Sequence, residues 1–196
     1  MLSQQSRDII DATLPIVGEH VNQITEVFYP LMFDRYPAVR DYFNQAHQAT
    51  GTQPRALGDA VGLIVQKHVS LNILPEHYPI VGECLLAAIK ETLGDAATEE
   101  VLSAWGEAYG QLAELLINAE EQVYQANQEK PGGWRGERGF VLVKKIRESD
   151  VITSFYFEPA DGKPIAGFKP GQYITLILDI DGQAVRRNYS LSDSPG

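Results

Sequence analysis

The sequence predicts an α+β chain in two domains, an all-helical half followed by antiparallel strands. Two observations carry this. The spacing of apolar residues changes from helical steps to a period of two near residue 130. At the same place Lys130-Pro131-Gly132-Gly133 interrupts any continuous element. The division is therefore residues 1–130, a linker over 131–138, and a second unit over 139–196, read as an incomplete antiparallel barrel.

In the first half, Ile9, Ile10, Thr13, Leu14 and Val17 recur at three- and four-residue steps and give the first helix one apolar face. A second helix is expected over 21–33, with Ile24, Val27, Phe28 and Leu31 inward. Pro37 opens a short helix ending near Phe43. The stretch Gln66-Lys67-His68-Val69-Ser70 reads as a short helix with one imidazole inward. Pro79 opens the next helix, stopped by Gly94-Asp95. Thr98 caps the last and longest, and Glu99 and Glu100 suit its positive N-terminal end. Its stripe is read as Val101, Leu102, Trp105, Tyr109, Leu112, Leu116, Ala119 and Val123.

The second half has strand composition over 140–146, 152–157 and 173–180, rich in Val, Ile, Thr and aromatics. Asp181-Gly182 between two such runs is a hairpin signal. Asp161-Gly162 and Pro170-Gly171 supply further turns.

Composition narrows the function. The chain has 196 residues, a net charge of −10 and a pI near 4.8. An acidic chain without a basic tract has no electrostatic footprint for nucleic acid or anionic lipid. A single cysteine, Cys84, excludes an internal disulfide and a cysteine metal cage, and its apolar neighbours mark it as a buried hydrophobe. The first residues turn polar too early for a signal peptide, and no run is long enough to span a membrane, so the cytoplasm is the expected location.

Taken singly, the chemistry-bearing residues have ordinary readings. Phe43 reads as a core aromatic, Tyr29 as a helix aromatic with a wet hydroxyl, Gln53 as a solvated loop residue, Lys67 as a solvated cation and Glu120 as one more solvated acid beside Glu121. His20, His47 and His77 have no partner at metal-ligand spacing and read as surface residues. His68 alone reads as a hydrogen-bonded core histidine.

Their order along the chain changes the reading. Tyr29 in Val27-Phe28-Tyr29-Pro30, Phe43 in Asp41-Tyr42-Phe43-Asn44, then Gln53, Leu57, His68, Tyr78 and Glu120 resemble the two sides of a haem pocket. The helical half resembles a globin, and the whole chain resembles the flavohaemoglobin (nitric oxide dioxygenase) family. The resemblance implies haem b held through iron by His68, with Phe43 stacked on the ring and Lys67 reaching a propionate. It implies Tyr29 and Gln53 as donors to oxygen, Leu57 as the bulky residue beside them, and Tyr78 and Glu120 as the pair that tunes the histidine. Pro170-Gly171-Gln172-Tyr173 and Arg187-Asn188-Tyr189-Ser190 resemble the flavin motifs of ferredoxin-reductase-type proteins. There Arg187 pairs with the FAD pyrophosphate, Tyr189 packs on the isoalloxazine, Ser190 bonds toward its reactive nitrogen, and Asn188 and Tyr173 add contacts.

The implied reaction joins oxygen and nitric oxide to give nitrate, with electrons from NAD(P)H through FAD to haem. Two departures from the family keep other outcomes open: a non-enzymatic oxygen-binding globin, or an inactive fragment. Only residues 54–67 separate Gln53 from His68, where the family places most of a long helix, a turn and the start of another. Two stubs with a bend at Gly58 or Gly62 are the expected solution. Nor is there a Gly-rich phosphate loop or a nicotinamide-binding domain in the sequence.

Overall fold

The computed structural model describes residues 2–43 and 57–193, the side chains of 57–60 excepted. Among the described residues five α-helices precede four strands: α1 Gln4–Glu19, α2 Val21–Arg35, α3 Leu57–Ser70, α4 His77–Leu93, α5 Glu99–Glu129, β1 Phe140–Arg147, β2 Thr153–Pro159, β3 Tyr173–Ile180 and β4 Gln183–Ser190. A 3-10 helix, Pro37–Tyr42, follows α2.

Local chemistry sets the helix ends. The Ser3 hydroxyl accepts from Ser6 N–H and caps α1, and the Thr98 hydroxyl accepts from Val101 N–H and caps α5. α4 begins at His77 rather than Pro79. Proline lacks only an N–H that the first turn leaves unpaired, so it is accommodated just inside the start. It ends at Gly94, whose φ of 55° lies in the left-handed region.

α5 is the platform of the helical half, packing against α1, α3 and α4, while α2 packs on α4. Trp105 Nε1 donates to Thr13 Oγ1 at 3.0 Å and ties α5 to α1. Three clusters form the core, around Ile24, Ala88 and Ile89, around Val65, Tyr78 and Leu116, and around Met32, Val39 and Cys84. Met32, Ile89 and Cys84 are fully buried. Each large aliphatic side chain withdrawn from water in this way contributes about 1.5–3 kcal/mol. Where α4 crosses α5, the chain is so close that a Cβ on Gly82 would stand 2.7 Å from the Tyr109 ring.

The inward stripe of α5 differs from the apolar pattern. Leu112 is about half exposed, and the buried face runs instead through Ala113, Leu116, Glu120 and Tyr124. A period of three and four holds, but it includes a carboxylate that an apolar reading passes over.

α3 corrects a second expectation. It is one uninterrupted helix, with no bend at Gly58 or Gly62. Val61, Val65 and Val69 recur every fourth residue and pack as one strip in the cluster shared with α5. That continuous strip outweighs the roughly 1 kcal/mol a helical glycine costs. Gln66 to Ser70 is thus the last turn of a longer helix.

The strands form two antiparallel hairpins, β1–β2 and β3–β4, a partial sheet region in which the pairs are not hydrogen-bonded to each other. Asp181 and Gly182 both have positive φ, 55° and 80°, as the tight turn between β3 and β4 requires. This turn sets the register Tyr173↔Ser190 through Ile180↔Gln183. The β1–β2 register shifts between Leu142 and Lys144. No helix among the described residues is long and apolar enough to cross a membrane.

Residues 131–138 are tied down rather than loose. Arg138 packs over Trp134 and Phe140, and its guanidinium donates to Asp161 at 2.7 Å and to the Lys163 and Pro164 carbonyls. Across the two halves, Arg186 of β4 lies 4.6 Å from the Tyr42 ring centre, donates to the Asp41 carbonyl and pairs with Glu137.

Candidate functional site

His68 lies in the last turn of α3. Asn72 adopts a left-handed φ of 58°, and Ile73 N–H returns to the His68 carbonyl at 2.9 Å, which closes the helix end and fixes the histidine backbone. The imidazole meets two side chains from other helices. Its Nδ1 is 2.7 Å from Glu120 Oε1 and 3.1 Å from the Tyr78 hydroxyl, and that hydroxyl donates to the same Oε1 at 2.6 Å.

An ionised carboxylate can only accept, so Nδ1 carries the proton and Nε2 keeps its lone pair. No hydrogen bond among the described residues uses Nε2. The ring is about one third exposed, while Glu120 is buried at 3%. A carboxylate behind an imidazole raises the basicity of the far nitrogen and fixes its direction, an arrangement suited to a metal ligand.

α5 holds both neighbours in place. Tyr109 donates to the Tyr78 carbonyl at 2.7 Å, and Tyr124 donates to the Ile73 carbonyl at 2.8 Å. Two phenols therefore pin the start of α4 and the turn after α3 on either side of Glu120. Burial and the Glu120 carboxylate push the Tyr78 phenol far above its ordinary value. Burial pushes Tyr109 up to about 12, and burial with the charge of Glu120 pushes Tyr124 up to about 12. These hydroxyls stay protonated donors across the ordinary pH range.

A second group gathers on α2. Tyr29 stands edge-on to Phe43 at 5.7 Å and close to Phe28 and Phe33, and Phe33 in turn meets Phe43 at 5.6 Å. The Tyr29 hydroxyl makes no hydrogen bond among the described residues. The two groups belong to separate clusters joined through α4. Gln53, like His47, lies outside the described residues, and so does the side chain of Leu57, the first residue of α3. Lys67 is exposed.

His20 and His77 are not plain surface residues. His20 Nδ1 donates to the Ile16 carbonyl at the end of α1, 2.8 Å away. His77 Nδ1 accepts from Leu74 N–H, and its ring packs against Tyr42. Both half-buried rings satisfy local backbone or aromatic neighbours.

In the strand half the register brings the two flavin-like stretches side by side. Tyr173 is opposite Ser190, and Asn188 is opposite Thr175, whose hydroxyl donates to the Asn188 side chain at 2.9 Å. Arg187 and Tyr189 share one face of β4, since alternate residues of a strand point the same way. Tyr189 meets Phe155 edge-on at 6.0 Å and is otherwise open, as are Arg187 and Ser190. Tyr173 reaches the Ser70 hydroxyl at 3.5 Å, at the end of the helix that carries His68.

Sequence reasoning missed the residues that brace this arrangement. Arg135 forks onto Glu121 at 2.6 and 2.7 Å and lies 4.9 Å from the Tyr124 ring centre. This contact holds the Glu121 carboxyl below the usual carboxylate range. The available signal was the acid beside Glu120 and an arginine fourteen positions further on. Sequence distance concealed their contact.

Residues 53–116 match the globin family. A flavohaemoprotein of Pseudomonas aeruginosa is 55% identical over 98% of this chain and 53% of its own length. That match runs to 210 residues, so the relative carries additional residues within the shared span. The chain spans about half the length of the curated relatives it matches. A crystal structure of a Malassezia yamatoensis flavohaemoglobin, with bound FAD and haem, superposes with a TM-score of 0.80 at 34% identity, over 98% of this chain and 55% of that one. A Campylobacter jejuni globin is 36% identical with a TM-score of 0.55, covering 63% of this chain and 99% of its own. The chain belongs to the flavohaemoglobin family, with a globin fold as its helical half.

Proposed function

We propose that this chain binds haem b through His68 and supports the oxygen-dependent conversion of nitric oxide to nitrate. One observation carries the reading: Glu120 Oε1 takes hydrogen bonds from both His68 and Tyr78, leaving the histidine Nε2 as the outward lone pair. The donor set fits the group. Among the described residues no three His, Cys, Asp or Glu side chains gather to hold a bare metal, and one imidazole suits an iron already held in a macrocycle.

Haem, when bound, supplies the iron at which oxygen and nitric oxide combine. The chain's own residues hold and orient. His68 ligates the iron, Glu120 raises the basicity of that ligand, and Tyr78 keeps the carboxylate aligned. Phe43 offers an aromatic face to the porphyrin and Lys67 an ammonium to a propionate. Tyr29 and Gln53 donate toward the gas, and Leu57 restricts access beside them. Residues 1–130 form this globin-like unit, 131–138 the linker, and 139–196 part of a flavin unit. There Tyr173, Arg187, Asn188, Tyr189 and Ser190 would cradle FAD, with NAD(P)H as the electron donor.

Stopped-flow mixing of the oxygenated, hemin-reconstituted chain with nitric oxide tests the proposal. Nitrate formation faster than with free haem supports it; a rate equal to free haem ends it. A second reading is reversible oxygen binding without turnover. It predicts that NADH with added FAD leaves the iron oxidised.

A further inference from the structure

Glu120 also borders a cavity of about 10 Å³, walled by Ile73, Ile117, Tyr124, Glu121 and Arg135. An ionised carboxylate has four acceptor positions. Both short hydrogen bonds to Glu120 fall on Oε1, and among the described residues none reaches Oε2. Both partners thus fix the carboxylate through one oxygen, and the residues walling the cavity are its other neighbours.

The outer wall of this cavity is built with care for orientation. Arg135 lines the cavity and is itself about one third exposed. Its two terminal nitrogens donate to the two oxygens of Glu121, and its plane lies over Tyr124. A forked guanidinium stacked on a phenol has one orientation, which a lysine ammonium cannot reproduce. Tyr124 in turn holds the turn after His68.

We propose that Arg135, through Glu121 and Tyr124, is a positioning residue for the Glu120–His68 pair. Arg135 belongs to the segment that leads into β1, so the strand half is fastened directly behind the histidine's hydrogen-bond partner. The inference deepens the haem-ligand reading, yet its main test needs no haem.

In the full chain without haem, labelled with 15N-histidine, the exchange rate of the His68 Nδ1 proton with solvent is measured by NMR. Arg135→Ala and Glu121→Gln each raise that rate, by about tenfold, because both free the Tyr124 ring that holds the turn after His68. Arg135→Lys gives an intermediate rate. Far-UV circular dichroism confirms that the variants are folded; if Arg135→Ala does not fold, Glu121→Gln and Arg135→Lys carry the test. An unchanged exchange rate in the folded variants overturns the proposal. In the hemin-loaded ferrous protein, Arg135→Ala also lowers the iron–histidine stretching frequency. Faster exchange in a chain that takes up no hemin leaves Arg135 as the positioning residue and removes the haem reading instead.

Discussion

The helical and strand halves are held by different forces. Every buried core residue lies at or before Tyr124, and no described residue from 131 onward is buried to the same degree. The helical half is thus stabilised by apolar burial around α5. The strand half is stabilised by paired backbone in two hairpins, with Val141, Val143, Ile152, Ile177 and Tyr189 exposed. The difference shows where rigidity resides. A side chain that needs a fixed direction, such as His68, is set in the packed half, while the open half presents residues on strand faces.

The largest effects come from breaking the packed half at its polar centre. Glu120→Ala strips the acceptor from His68 and Tyr78 and leaves the buried Tyr78 hydroxyl unpaired. It lowers stability by about 1–3 kcal/mol, read from urea denaturation, and lowers hemin affinity by about 10–100-fold. Retention of wild-type stability would mean that the carboxylate is not buried as described.

Gly82→Ala comes next. The added methyl meets the Tyr109 ring on packed helices, and overpacking of this kind costs about 1–3 kcal/mol. A thermal midpoint unchanged from wild type would show that α4 and α5 are looser than drawn.

The tyrosines give a pH signature. Tyr78, Tyr109 and Tyr124 have folded pKa values raised above the ordinary 10, chiefly by burial. A raised value means stability is complete below the unfolded pKa and is lost as pH rises through the folded one. The helical half therefore weakens from about pH 10 upward. Phenolate absorbance at high pH should lag and then rise together with loss of helical signal. A smooth rise with intact helix would contradict the burial.

The smallest effect lies at the junction. Arg186→Ala removes the stack on Tyr42 and the contact with Glu137. Amide exchange in β3 and β4 quickens, whereas amides of α5 change little, within about threefold. Equal changes in both halves would erase the comparison.

Much of this was legible in the sequence because it rests on local chemistry. The Thr98 cap, the Gly94 stop and the Asp181-Gly182 turn each follow from one residue's preferences. What escaped depends on contacts between distant residues. A continuous valine strip carries α3 through Gly62, and Glu120 falls on the buried stripe in place of a hydrophobe. Arg135, Arg138 and Arg186 carry no local signal in the sequence, and each lies over an aromatic ring. The pairing of His68 with Tyr78 and Glu120 followed from resemblance rather than from spacing.

Hemin titration of the purified chain, followed by its Soret band and repeated with His68→Ala, tests the central claim most directly. The account predicts a saturable band at one hemin per chain that is lost in the variant. A band that never saturates, or one that survives without the imidazole, would contradict it.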